Sequence, residues 1–150
     1  MPEVGFYHLS KTPVDQALYK ILEKVLLAGK RAVVRTSSEE RVDFFNASLW
    51  TIDPASFLPH GTRKEGHASE QPIWITHDSD NPNQADVLVL TDGADSKFWA
   101  DYQRCIEIFD GNDEVAVSAA RERWKEIKNT GARLTYWQQT DLGGWEKKEQ

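Results

Sequence analysis

Hydrophobic and polar positions alternate from Val4 to Leu9 (VGFYHL), which predicts a first strand. Beyond Thr12-Pro13 the period changes. Ala17, Leu18, Ile21, Leu22, Val25 and Leu26 form a helical stripe, with Thr12 as N-cap, Pro13 at the first helical position and Gly29 closing the helix. Residues 31–36 (RAVVRT) are a short apolar run and read as a buried strand. Ser37 and Glu40 have the spacing of a capping box before a second helix that reaches Trp50, with Val42, Phe45 and Leu49 on its inner face. A long loop follows. Strands are then predicted at 72–77 (PIWITH) and 85–90 (ADVLVL), a short helix at 98–102, a strand at 105–109 (CIEIF), a long helix at 113–130 closed by Gly131, and a last strand at 133–138.

Strands and helices alternate at both ends of this pattern. That order predicts an α/β domain of three layers, an open, twisted, mostly parallel sheet with helices on both faces. The turn-like DSDNPNQ joining the two middle strands predicts one antiparallel pair there. Residues 1–140 read as a single domain. Residues 141–150 carry no core signal beyond Trp145 and are expected to be a mobile tail. The N-terminal MPEVGFYHLSKT has no basic start followed by an apolar run, so no signal peptide is expected, and no stretch approaches the roughly 18 apolar residues of a membrane helix. With one cysteine, Cys105, no internal disulfide can form, and a cytoplasmic setting is expected.

Motifs for chemistry are scarce. There is no phosphate-wrapping G-x-x-x-x-G-K-[ST], and the turn after the first strand reads SKTP, with no glycine to bring backbone close to a pyrophosphate. His77-Asp78-Ser79-Asp80 falls at a strand end, where α/β sites often lie, but Asp, Ser and Asn in that order are first of all turn chemistry; Asp92-Gly93-Ala94-Asp95 reads the same way. His60, Glu65 and His67 match no zinc spacing. Cys105, between apolar neighbours, reads as a buried strand residue. No catalytic residue, metal ligand or cofactor is therefore assigned.

Two surface features remain. Arg121, Trp124, Lys125 and Lys128 lie in an i, i+3, i+4, i+7 row beside the core stripe of the last helix. In a chain of net charge −6 such a row is either a solvated face, with Glu122 and Glu126 as helical partners, or a groove in which cations flank an aromatic wall and attract an acidic peptide or its terminal carboxylate. The second feature is Phe57-Leu58-Pro59-His60, apolar residues in a Pro- and Gly-containing loop. They either fold back on the core or form an exposed anchor for a partner.

Together with FYHL at 6–9, Ser48-Leu49-Trp50, SFLPH at 56–60, ADVLVLTDG at 85–93, FDG at 109–111 and AARERWKEIKNTG at 119–131, these features resemble the chi subunit family of bacterial DNA polymerase III holoenzyme, from about residue 4 to 139. The resemblance implies a non-catalytic accessory protein with a Rossmann-like fold and no nucleotide site. It implies attachment to the clamp loader through the psi subunit, or contact with a repair helicase, through the surface holding Phe57, Leu58, Pro59 and His60. It also implies capture of the acidic C-terminal tail of single-stranded DNA-binding protein by Arg121, Trp124 and Lys125, with Lys128 in the same row, so that DNA is touched only indirectly. The sequence departs from the family pattern in having Trp124 where Tyr is also used. Val117 stands one turn before Arg121, where a basic residue is expected, which implies a less cationic pocket. Two other readings stay open: a small-molecule enzyme using Asp78, Asp80 and Asp92 with His77, and a protein binding DNA directly through the basic row.

Overall fold

The computed structural model describes residues 2–53 and 58–148. Seven strands form one sheet: β1 (Glu3–Leu9), β2 (Ala32–Arg35), β3 (Ile73–Thr76), β4 (Val87–Leu90), β5 (Arg104–Asp110), β6 (Arg133–Gln139) and β7 (Trp145–Lys148), in the order β3-β2-β4-β5-β1-β6-β7. Every pairing is parallel except β6 with β7. Three helices complete the layers: α1 (Val14–Leu27), α2 (Glu39–Thr51) and α3 (Glu114–Lys128). The three-layer, mostly parallel architecture expected from the alternation of elements is what forms.

The two faces of the sheet carry separate cores, as the two-residue repeat of a strand requires. On β5, Ile106 and Ile108 pack with Leu18, Leu22, Phe45 and Leu49 of α1 and α2. Cys105 and Phe109, one residue out of step, pack on the other face with Ala120 and Ile127 of α3. Strands β2, β3 and β4 are buried throughout, which accounts for their unbroken apolar runs.

Several expectations shift. The middle strands β3 and β4 do not pair with each other; they flank β2, both parallel to it. The antiparallel pair is instead β6–β7, so residues 145–148 of the expected mobile tail form an edge strand. Trp145 drives this docking, because its ring meets Tyr7 edge-on with centroids 5.3 Å apart. The N-cap of α2 is Ser38, whose side chain accepts from the Arg41 amide, and no Ser37–Glu40 box forms. Helix α1 begins at Val14, with Pro13 rather than Thr12 in the capping position.

Thr12 has another role. The Gln139 side-chain oxygen accepts from three consecutive backbone amides, Ser10, Lys11 and Thr12, at 3.2, 2.8 and 3.0 Å. In dinucleotide-binding sheets the amides of this first strand-to-helix turn hold a pyrophosphate. Here a carboxamide oxygen from β6 already satisfies them. The other usual anion position, the N-terminus of α3, is capped by the Asp113 carboxylate and opens on a pocket of about 300 Å³ that Asp92 and Asp110 also line. The three carboxylates outweigh the one cation among the described lining residues, Arg123, which is itself paired with Glu107, and so disfavour phosphate. Both arrangements give the missing glycine motifs a structural counterpart.

Candidate functional site

Helix α3 starts at Asp113, whose side chain accepts from the amides of Val115 and Ala116, and its C-terminal end carries Lys125 and Lys128. Both ends suit the helix dipole. Ala120 and Ile127 are buried against the sheet, with Ala116 and Val117 packed partly against the same core. This orientation sets Arg121, Lys125 and Lys128 in solvent and leaves Trp124 half-buried at the border.

Trp124 is held in place by aromatic edges. Phe6 meets it at 5.2 Å between centroids and 71°, and Tyr136 at 5.7 Å and 76°. Both partners come from the sheet, since Phe6 and Tyr136 sit opposite each other on β1 and β6. Tyr136 is anchored in turn by a 2.7 Å hydrogen bond between its hydroxyl and His8 Nδ1, and His8 packs edge-on against Phe109. The frame thus joins Phe6, His8, Phe109, Trp124 and Tyr136 from four elements. Sequence reasoning found Trp124 and missed the rest, although FYHL and FDG had been singled out as motifs.

The charge of Arg121 reaches this frame. The His8 pKa is lowered by burial and then by Arg121, with Asp110 opposing; the Tyr136 pKa is raised by burial, with Arg121 opposing. The Arg121 charge is thus felt at both His8 and Tyr136, and it makes no ion pair among the described residues. Lys125 does: its Nζ is 3.8 Å from Glu122 Oε1. Glu122 belongs to the row as a counter-charge, though the pair is exposed on both sides and so contributes little.

Gly111 closes the frame. A Cβ at this position would lie 2.0 Å from His8 Nε2 and 2.5 Å from the Leu9 carbonyl oxygen. The first contact can be relieved by rotating His8, which breaks its bond to Tyr136; the second involves backbone and cannot. Gly111→Ala is expected to cost about 1–3 kcal/mol, the usual penalty of overpacking. Urea denaturation measures it, and a wild-type midpoint would mean that the frame tolerates a displaced His8.

The second predicted surface divides. Phe57 lies outside the described residues. Leu58 is buried in the α1–α2 core, and His60 is buried with Nδ1 2.6 Å from the Leu58 carbonyl and Nε2 3.2 Å from that of Asn46. These two side chains therefore hold the loop down and are not displayed to a partner. Their burial follows from Gly61, which bonds to Ile73 and Ile75 along the β3 edge and draws the segment onto the sheet. Pro59 is half-buried, and the partly exposed Trp50 of α2 lies on this side, its ring centroid 4.4 Å from that of His60.

Of the groups considered for catalysis, His77, Asp78 and Asp80 line one small pocket of about 40 Å³ together with Glu39, and Asp92 is not among its lining residues. Asp92 accepts from Arg41 Nε at 2.6 Å and from the Thr36 hydroxyl at 2.9 Å. His77 bridges to Glu39 at 3.0 Å, with Asp78 at 3.7 Å on its other nitrogen, and Asp80 faces the Thr76 hydroxyl at 3.5 Å. Among the described residues no three His, Cys, Asp or Glu side chains are grouped to hold a metal ion. Burial pushes the Cys105 thiol up to about 12, so it stays protonated and unreactive. No helix of the described residues is long and apolar enough to cross a membrane.

Comparison with known proteins gives two kinds of match. The family model described as "DNA polymerase III chi subunit, HolC" matches residues 1–135. A curated relative from Rickettsia prowazekii (strain Madrid E), named "Probable DNA polymerase III subunit chi", is 27% identical over an alignment covering 98% of this chain and 92% of the relative. Another from Haemophilus influenzae (strain ATCC 51907 / DSM 11121 / KW20 / Rd), named "DNA polymerase III subunit chi", is 25% identical over 87% of this chain and 92% of the relative.

Proposed function

Since the chain belongs to the DNA polymerase III chi subunit family, and is thus of the accessory subunits of a replicative polymerase, we propose that it tethers that assembly to single-stranded DNA-binding protein by holding the acidic C-terminal tail of that protein on α3. The observation that carries this reading is the braced ring of Trp124 one helical turn from the exposed Arg121, which has no ion pair among the described residues. A peptide ending in acids, an apolar side chain and a free carboxylate needs a cation and a flat apolar wall. Arg121 can clamp a carboxylate with two parallel bonds, Trp124 is the wall, and Lys125 and Lys128 add charge along the next turn. Val117 supplies no charge, so the site relies on Arg121 more than a fully basic row would.

We propose a second contact, with the psi subunit and through it the clamp loader, or with a repair helicase, through Pro59 and through Phe57, which lies outside the described residues. The exposed Trp50, which lies against His60 of the same loop, supports it, since apolar side chains facing solvent mark partner sites. Pull-down experiments test both contacts. Immobilised protein should retain full-length single-stranded DNA-binding protein and lose it when the last several residues are removed. Phe57→Ala should lose psi while keeping the tail. Equal retention of the tail-deleted form sinks the first assignment, and undiminished psi binding by Phe57→Ala sinks the second.

A further inference from the structure

A groove of about 760 Å³ opens on the sheet face opposite α3, between α1 and the β6–β7 edge. Its lining includes Tyr7 from β1 and Trp145 from β7, with Trp137 of β6 stacked on Tyr7 at 6.4 Å and 15° between planes. Four cations line the same groove: Lys20 and Lys24 on α1, Lys30 just beyond it, and Arg104 on β5. Glu23 is the one acid among the described lining residues, with the Glu3 charge also felt at Tyr7. In a chain of net charge −6 this is a strong local inversion of sign.

The cations are arranged for different tasks. Arg104 donates to the Tyr7 hydroxyl at 3.1 Å and Lys30 to the Gln103 side chain at 2.8 Å, so both are fixed at the floor and end of the groove. Lys20 and Lys24 are exposed one helical turn apart, with no ion pair among the described residues. The groove supplies side chains only. Its floor is the face of β1, β5 and β6, strands that each have a paired neighbour on both sides, and only the rim strand β7 is an edge, so an extended peptide would find no partners for its amides and carbonyls along the floor. Bases and phosphates have no such requirement. Bases need ring faces, and phosphates need cations.

We propose that this groove binds a short stretch of single-stranded nucleic acid, with bases against Tyr7 and Trp145 and phosphates against Lys20, Lys24, Lys30 and Arg104. The contact is direct, unlike the indirect one expected from sequence, and lies on the opposite face from the peptide ridge. It does not depend on that ridge.

Fluorescence anisotropy of a labelled oligothymidylate at several salt concentrations tests it, using the whole chain. Binding should weaken with salt, with a slope of log K against log salt of about −3 for four phosphates. Lys20→Glu with Lys24→Glu should lower affinity at least about tenfold and flatten the slope by about 1.4, half the slope assigned to four phosphates. Trp145→Ala should also cost about tenfold or more, with thermal melting of each variant confirming its fold. Arg121→Ala should bind the oligonucleotide as wild type does. Undetectable binding at low salt overturns the proposal, as does wild-type affinity in the double lysine variant or loss of binding in Arg121→Ala. An acidic peptide that binds wild type but not the double lysine variant, with no oligonucleotide bound, would assign the groove to a protein and equally overturn it.

Discussion

Arg123→Ala is expected to destabilise the fold by about 3–5 kcal/mol, the cost of leaving one charge of a buried pair alone. Arg123 on α3 forms an ion pair with Glu107 on β5, and both side chains are largely out of solvent, at 15% and 4% exposure. Burial pushes the Glu107 pKa up and the Arg123 guanidinium opposes that shift, so without Arg123 the carboxylate must either ionise unpaired in the core or take up a proton. For a chain of this size the loss corresponds to a fall in melting temperature of very roughly 10 °C, at about 2–4 °C per kcal/mol. The pair itself is not a large source of stability. Glu107 Oε2 and Arg123 Nε are buried without hydrogen-bond partners. Replacing both residues, Glu107→Leu with Arg123→Met, should therefore leave stability near wild type or raise it. Thermal melts of the single and double variants decide the matter. If Arg123→Ala melts with wild type, the pair contributes nothing to the fold.

Arg121, two residues earlier, should behave in the opposite way. Arg121→Ala should melt like wild type and bind the tail of single-stranded DNA-binding protein about ten- to a hundredfold more weakly, since a charge-assisted bidentate contact contributes roughly 1.5–3 kcal/mol. Lys125→Ala should act in the same direction with a smaller effect, because Glu122 already neutralises part of its charge. For the same reason Glu122→Ala should not weaken binding. Trp124→Ala removes the wall and also the contacts to Phe6 and Tyr136, so affinity and stability fall together; Trp124→Tyr keeps a ring in place and separates the two. Added salt should weaken the complex. Titration of a tail peptide by calorimetry measures each change. Should Arg121→Ala and Lys125→Ala bind like wild type, the row is a solvated helix face and the peptide site lies elsewhere.

The contrast between Arg121 and Arg123 is legible in the sequence once both periods are written side by side. Ala116, Ala120, Arg123 and Ile127 follow the core stripe of α3, and Cys105, Glu107 and Phe109 share one face of β5. A charge interrupts each apolar pattern, and the two interruptions meet. Sequence reasoning that attended only to the exposed row found the cations at Arg121, Lys125 and Lys128 and passed over the buried one.

What the sequence by itself determined is local. The apolar period of α1, the Asp113 start of α3 and the buried runs of β2 and β4 could be read from residues within a turn or a strand of one another, because burial and capping act at that range; α3 itself stops at Lys128, with Asn129 as C-cap, two residues short of the end expected before Gly131. The tertiary structure decided what depends on distant partners. β3 and β4 became neighbours of β2, and not of each other, because strand order follows from which edges meet, and a turn-like link does not specify that. Trp145 turned a stretch read as mobile into β7 because Tyr7 offers its ring from the other end of the chain. Gln139 closed the turn that would otherwise face a phosphate, from more than a hundred residues away. The groove on the α1 face exists only where Tyr7, Lys20, Arg104 and Trp145 converge, and no periodicity connects those four positions.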